Sequence, residues 1–433
     1  MGVYAAVAEK LAGRPERRPA LTGAWLLSGS MVASGLLTYA FHVLAARRLG
    51  PHAYGQVAVL WATMFLGVVV FFRPLEQTAS RTIADRLARG DEAWTVLRAV
   101  LVIAAGALTG IGVAGFVGWD WISDSLFLGN GAMTAMLLGG IALYGLAYLV
   151  RGLVGGVRWF GGYAAGLMGD ALFRLAAAAP LIVIASQNVA SAAVVAAAAG
   201  GVVVPLFLGR RRLQSIFERR PGSPFRLRAA VAFATPAGVI AGADQLLVNG
   251  APLLVVVGGG TDASKAAGVV FAATMLVRVP VYVFQGLAAS LLPNLTHMQA
   301  RADAVRLRRA VVQTAAFLLA GSGLIVVAAA AVGPRATALL YGSDFEAGRT
   351  QLALLGAGVG CYLAAATFSQ ALLAVGTATR AAVAWATTAG LFVALYAAIP
   401  GSPLTRISVA FSIAAFVDLL VLAGLLLRSG GKR

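Results

Sequence analysis

One cysteine, Cys361, stands alone in 433 residues. A lone thiol makes no internal disulfide and no multi-cysteine metal site, and its place in an apolar stretch marks it as a packing residue. Histidine is almost as scarce, and His42, His52 and His297 have no metal-ligand spacing. No glycine-rich phosphate loop ending in Lys-Ser/Thr is present, which argues against direct use of ATP. Charged residues make up only 12% of the chain. Long polar segments are missing too: the longest, 210–228, is mostly arginine, proline and linker residues, too little to hold an enzyme's chemistry. The expectation is therefore a non-enzyme, with no catalytic residue, no metal and no cofactor.

What fills the chain is apolar. Sixty per cent of its residues are hydrophobic and the mean hydropathy is +0.86, far from the make-up of a soluble domain. A bilayer span takes roughly 20 apolar helical residues. Twelve windows qualify, near 21–45, 55–72, 94–118, 132–155, 161–185, 189–209, 229–257, 266–292, 310–332, 350–375, 381–399 and 405–428. No period-2 alternation punctuated by turns repeats along the chain, so a transmembrane β-barrel is not expected. The expected fold is an all-α polytopic bundle of about twelve spans. Residues 1–20 read as an amphipathic cytoplasmic lead rather than a signal peptide. Two six-helix lobes, 21–209 and 229–428, follow on either side of an Arg-rich cytoplasmic linker, 210–228, and 429–433 form a cytoplasmic tail.

The net charge of +18 raises nucleic acid as a partner, but the positions of the charges argue otherwise. With the N-terminus placed in the cytoplasm, 26 of the 34 basic residues fall on inner segments and 6 on outer ones; Arg174 and Arg278 lie within spans. This is the positive-inside pattern. It puts both termini in the cytoplasm and implies some affinity for anionic lipids. No nucleic-acid partner is expected.

The stretch 68–91, VVVFFRPLEQTASRTIADRLARGD, changes character at Arg73-Pro74. Leu75, Ala79, Ile83 and Leu87 recur every fourth residue on one helix face, while Arg81, Asp85 and Arg89 are spaced for i,i+4 ion pairs. An apolar helix is predicted to hand over to an amphipathic one here. A weak internal repeat sets 57–91 against 268–303: each carries Ala-Thr-Met early and Ala-Arg-x-Asp late, in the second span of its half. A duplication with six spans per half leaves the halves in one orientation, related by a pseudo-two-fold axis along the membrane normal.

RPLEQTASRTIADRLARG closing the second span, YLVRGLVGGVRWFGGY (148–163) linking the fourth and fifth, VRVPVYVFQGLAASLLPNL in the eighth and LLYGSDF (339–345) after the ninth together resemble the polysaccharide flippases of bacterial membranes. These sit within the superfamily of multidrug, oligosaccharidyl-lipid and polysaccharide exporters. The resemblance spans nearly the whole chain at the level of pattern. It implies two six-helix lobes in a V around a cavity that opens alternately to each side of the bacterial plasma membrane. The implied cargo is a polyprenyl-diphosphate-linked oligosaccharide, turned over for cell-surface polysaccharide assembly. Expected partners are that lipid-linked oligosaccharide, anionic lipids, H+ or Na+ as coupling ion, and a polysaccharide polymerase.

Charges at membrane depth are costly unless paired or facing water, which makes each a site candidate. Arg278 precedes Pro280 near mid-span; it suits a diphosphate, gripped bidentately, or a salt bridge to Asp244 or Asp418. Arg174 with Asp170 has the spacing of an internal ion pair that stabilises the first lobe. Arg73 and Arg151, near cytoplasmic span ends, could receive a diphosphate or reach lipid phosphates. Asp244, Gln245 and Asn249 form a polar patch suited either to ion coupling or to hydrogen bonding between helices.

Two other functions compete: a cation-coupled multidrug antiporter of the same superfamily, and a membrane glycosyltransferase or scaffold in glycan assembly. Arg278 and Arg73 favour the flippase over the antiporter, because they repel an organic cation and attract a diphosphate. The glycosyltransferase reading lacks its acidic first outer loop: ARRLGPHAYG (46–55) contains no carboxylate.

Overall fold

The computed structural model describes residues 17–218, 227–260, 262–278 and 304–429, and among them it contains helices and turns but no strand. α1 runs from Arg17 to Arg89 and is interrupted at Gly50, whose φ of 69° and ψ of 172° reverse the chain. At 1.5 Å per residue an unbroken helix of that length would be on the order of 100 Å, about three times the hydrocarbon core. Gly50 therefore divides α1 into two spans, and Pro51 opens the second, where its missing N–H is not needed.

α2 (Trp94–Val117), the short α3 (Trp119–Phe127), α4 (Gly131–Gly156), α5 (Phe160–Ala178) and α6 (Gln187–Phe217) complete the first half. α7 (Leu227–Asn249), α8 (Ala251–Val257), α9 (Ala263–Val277), α10 (Ala304–Tyr341), α11 (Arg349–Ala374), α12 (Ala378–Ala398) and α13 (Pro403–Ser429) form the second. Nine helices of the described residues are long and apolar enough to cross a membrane, and α7 with α8, bent by 74°, makes a tenth. Counting α1 as two spans and adding the fifteen-residue α9 reproduces twelve crossings. The later part of the eighth window, with Pro280, lies outside the described residues.

The two halves repeat each other in how they meet lipid. The apolar centres of α2 and α10, the third and ninth spans, are both 17% buried, whereas those of α4 and α11, the fourth and tenth, are 61% and 72% buried. The peripheral pair carries exposed Val113, Phe116, Phe317 and Leu324, the side chains that lipid solvates. α5 packs on α6 as α12 packs on α13, and α4 on α6 as α11 on α13. The fold is two six-helix lobes.

The amphipathic continuation is a single helix through Pro74 that ends at Arg89. Leu75, Ala79 and Ile83 are buried, while Arg81, Asp85 and Arg89 are exposed, with Asp85 and Arg89 ion-paired. The buried face sits on a glycine stripe of α4: a Cβ on Gly145 would press on Phe72, one on Gly152 on Ala79, and one on Gly156 on Ile83. Small residues let helix backbones approach where no hydrophobic force drives helices together in lipid. α1 also reaches the other lobe, packing on α7 and α9.

Two expectations need correcting. The loop ARRLGPHAYG is helical throughout except at Gly50. The window 229–257 is a broken span rather than a straight one, because Pro252 restarts the helix directly after Gly250. In addition, α6 continues through Arg210–Arg212 to Phe217, so these arginines ride on helix; 219–226 lie outside the described residues.

Candidate functional site

A track of charged side chains runs from the interior of the first lobe to the second. In the first lobe Arg174 of α5 is 3% exposed. It donates to Thr38 Oγ1 at 2.6 Å, to the Tyr144 hydroxyl at 3.0 Å and to Asp170 Oδ1, and its guanidinium lies 5.1 Å from the Trp61 ring centre. The second carboxylate oxygen of Asp170 is 3.7 Å from Arg151 of α4, which in turn stacks 4.9 Å over Tyr148. Arg151 is thus drawn into the lobe rather than out to lipid phosphates. The i,i+4 pair expected from the sequence is part of a larger cluster.

One turn beyond Arg73 on α1, Glu76 accepts a hydrogen bond from the Tyr163 hydroxyl at 2.7 Å. The second lobe matches it, since the Tyr362 hydroxyl donates to Asp244 Oδ1 at 2.5 Å. Arg73 lies between these clasps. Its side chain is exposed, yet Tyr148, Glu76 and Tyr163 of one lobe and Asp244 of the other act on it electrostatically. Its exposure is therefore to a cleft with protein on both sides. Among the described residues no carboxylate comes within ion-pair distance of it.

Arg278 caps the C-terminal end of α9, 6% exposed, and donates to Asn249 Oδ1 at 2.7 Å. Asp244 lies in the combined field of Arg73 and Arg278. A small apolar pocket of the second lobe, lined among others by Leu247, Thr274, Val277 and Phe411, opens beside Arg278 and Tyr362. The patch read from the sequence is divided here. Asp244 goes to Tyr362, Asn249 goes to Arg278, and Gln245 is half-buried beside them. Asp418 lies elsewhere in that lobe, 1% exposed, held by Thr388 at 3.0 Å. Among the described residues no group of three or more His, Cys, Asp or Glu is placed to hold a metal.

Glu76, Tyr163 and Tyr362 were missed in the sequence. Glu76 sits inside RPLEQ, one turn from Arg73, a spacing that could have raised it; nothing distinguishes the tyrosines until the fold brings them to the carboxylates.

The track holds four guanidiniums (Arg73, Arg151, Arg174, Arg278) and three carboxylates (Glu76, Asp170, Asp244), with Arg151, Arg174 and Asp170 inside the first lobe. No family model matches the sequence, and no curated protein does. Solved structures do match in shape. The inward-facing conformation of a multidrug resistance MATE family transporter of the MOP superfamily aligns over 92% of this chain and 96% of its own, with a TM-score of 0.67 at 14% identity. The chain has the fold of these transporters. The eukaryotic MATE transporter AtDTX14 aligns over 94% and 95%, with a TM-score of 0.65 at 15% identity. A MOP superfamily transporter from Pyrococcus furiosus, described as having a binding pocket of reversed polarity that suggests a different function, aligns over 95% and 96% with a TM-score of 0.62 at 14% identity.

Proposed function

We propose that the protein is a membrane exporter that works by alternating access of its two lobes and that its cargo is an anionic amphiphile, a polyprenyl-diphosphate-linked oligosaccharide. The observation that carries this reading is Arg73, an exposed guanidinium in a cleft between lobes, with Arg278 opposite on the second lobe. A planar fork of N–H donors matches phosphate oxygens and draws in a diphosphate where it repels an organic cation. Arg151 and Arg174, which share Asp170 inside the first lobe, leave that lobe with net positive charge behind Arg73. In this reading the arginine-rich ends of the spans face the cytoplasm of a bacterial plasma membrane, both termini are cytoplasmic, and anionic lipids border the entrance. Asp244, with Gln245 beside it, is the coupling residue for H+ or Na+, and a polysaccharide polymerase would receive the product.

One arrangement favours a second reading. Glu76 and Asp244 each offer a tyrosine-held carboxylate to the cleft, an acidic and aromatic lining that suits a cation-coupled multidrug antiporter. The two are separated by deleting the gene in its host and profiling extracted polyprenyl lipids by mass spectrometry, with drug sensitivity recorded in parallel. Accumulation of one complete lipid-linked glycan is the expected result and names the cargo. No accumulation, together with new sensitivity to cationic drugs, replaces the proposal with the antiporter.

A further inference from the structure

Arg47 and Arg48 are two of the six basic residues that run against the positive-inside pattern. Both are occupied by backbone carbonyls. Arg48 donates to Leu181 O of its own lobe at 2.9 Å. Arg47 crosses to the other lobe, donating from Nε to Leu340 O at 2.9 Å and from Nη2 to Leu339 O. Those carbonyls belong to the last turn of α10, where unpaired C=O groups concentrate partial negative charge.

Beneath this latch the lobes meet at one backbone crossing. A Cβ on Gly55 would overlap the carbonyl oxygen of Ser264, and a Cβ on Gly268 would overlap that of Pro51. Gly268 follows Gly55 by the same interval in sequence as Ser264 follows Pro51. Each glycine lies one turn after the residue whose carbonyl meets the other, so the two close approaches are reciprocal. Ser264 Oγ adds a bond to His52 O at 2.8 Å. Rings from both lobes close around the crossing. Tyr54 meets Phe271 and Phe345 with centroids 5.9 and 5.8 Å apart, and Tyr39 meets Tyr341 at 6.2 Å. Tyr54, Phe271, Tyr341 and Phe345 are all buried.

We propose that the Gly50 end of the bundle is a gate whose closed state seats on the Gly55–Gly268 crossing and is locked by Arg47 on the end of α10. Hydrogen is the only substituent the seat admits at either glycine, so a methyl group there props the lobes apart at this end. Loss of Arg47 leaves the seat intact but unlocks it. The inference rests on the alternating-access reading, and its test needs no cargo, so it can fail while the choice of cargo stands.

The reporter is Ala272→Cys in a Cys361→Ala background. Ala272 is fully buried and one turn from Gly268 on the same face of α9. A membrane-impermeant maleimide is applied from the Gly50 side, and separately from the arginine-rich side, to sealed vesicles of known orientation. Arg47→Gln, Gly55→Ala and Gly268→Ala are each expected to speed labelling from the Gly50 side on the order of tenfold, equivalent to about 1.4 kcal/mol of shifted equilibrium. Gly106→Ala on lipid-facing α2, where a Cβ meets nothing within 4 Å, is expected to leave it unchanged. If the glycine variants do not insert, Arg47→Gln carries the test alone, since Arg47 is exposed and its removal disturbs no packing. Unchanged labelling in Arg47→Gln overturns the proposal. So does a gain seen equally from both sides, or only from the arginine-rich side.

Discussion

Arg174→Met should destabilise the first lobe, and the geometry identifies where the cost arises. Of the groups Arg174 binds, Thr38 keeps a second bond to Ser34 O at 2.8 Å and Tyr144 keeps one to Val194 O at 3.3 Å. Asp170 is left with Arg151 at 3.7 Å on its other oxygen, inside a lobe where its side chain is 8% exposed. Breaking a buried ion pair by removing one partner costs about 3–5 kcal/mol where the remaining charge is uncompensated, and the longer Arg151 contact makes this the upper bound. A cooperative unit of about 200 residues loses 2–4 °C of Tm per kcal/mol, so the purified variant should melt below the parent by up to about 20 °C. Removing the acid as well, in Arg174→Met with Asp170→Leu, strands the buried Arg151 instead, so the double variant should melt no higher than Arg174→Met. The assay is thermal unfolding in one detergent or nanodisc, with export measured in cells. An Arg174→Met protein that melts with the parent but no longer exports refutes the reasoning and makes Arg174 a contact of the cargo.

Arg73→Ala should behave in the opposite way. With no close ion pair to lose it should melt with the parent, while export falls roughly 10- to 150-fold, the worth of a charged hydrogen bond; unchanged export removes Arg73 from the site. Arg278→Ala should abolish export with membrane insertion intact, and near-normal export would make Arg278 a structural residue that holds Asn249. Asp244→Asn should weaken the dependence of turnover on an imposed H+ or Na+ gradient in proteoliposomes. Tyr362→Phe should have a smaller effect in the same assay, since interhelical polar bonds in membranes average about 0.6 kcal/mol; unchanged dependence in Asp244→Asn makes that carboxylate structural.

Span positions were legible because the bilayer imposes a single rule, a length of apolar helix, and apolar length is written directly in the sequence. The third window was expected at 94–118 and the helix is Trp94–Val117; the eleventh was expected at 381–399 and the helix is Ala378–Ala398. Two features escaped that rule. Hydropathy does not register a bend inside one apolar window, so the break at Gly250 could not be read from apolar length, whereas the reversal at Gly50 falls in the gap between the first two windows. Polar residues at a span end are read as loop by composition, although Arg47 and Arg48 are helical because carbonyls elsewhere in the fold receive their side chains.

The site was half legible for a related reason. A charge within an apolar window is conspicuous by scarcity alone, which brought out Arg174, Arg278, Asp244 and Asp170. Their partners are tyrosine, threonine and asparagine, residues common enough in spans to carry no signal until helices distant in sequence are placed side by side. The resulting pattern changes how the charges should be understood. Asp170 is shared by Arg151 and Arg174 at close range, so that part of the track is committed to holding the lobe together. Glu76 and Asp244 are each fixed by a tyrosine of a neighbouring helix and act on Arg73 only through space. An anion arriving at Arg73 therefore breaks no contact ion pair but must overcome repulsion from two carboxylates, one on each lobe. The closer the lobes hold those carboxylates to Arg73, the weaker its hold on an anion becomes, which in the proposed export cycle would tie release of the cargo to movement of the lobes.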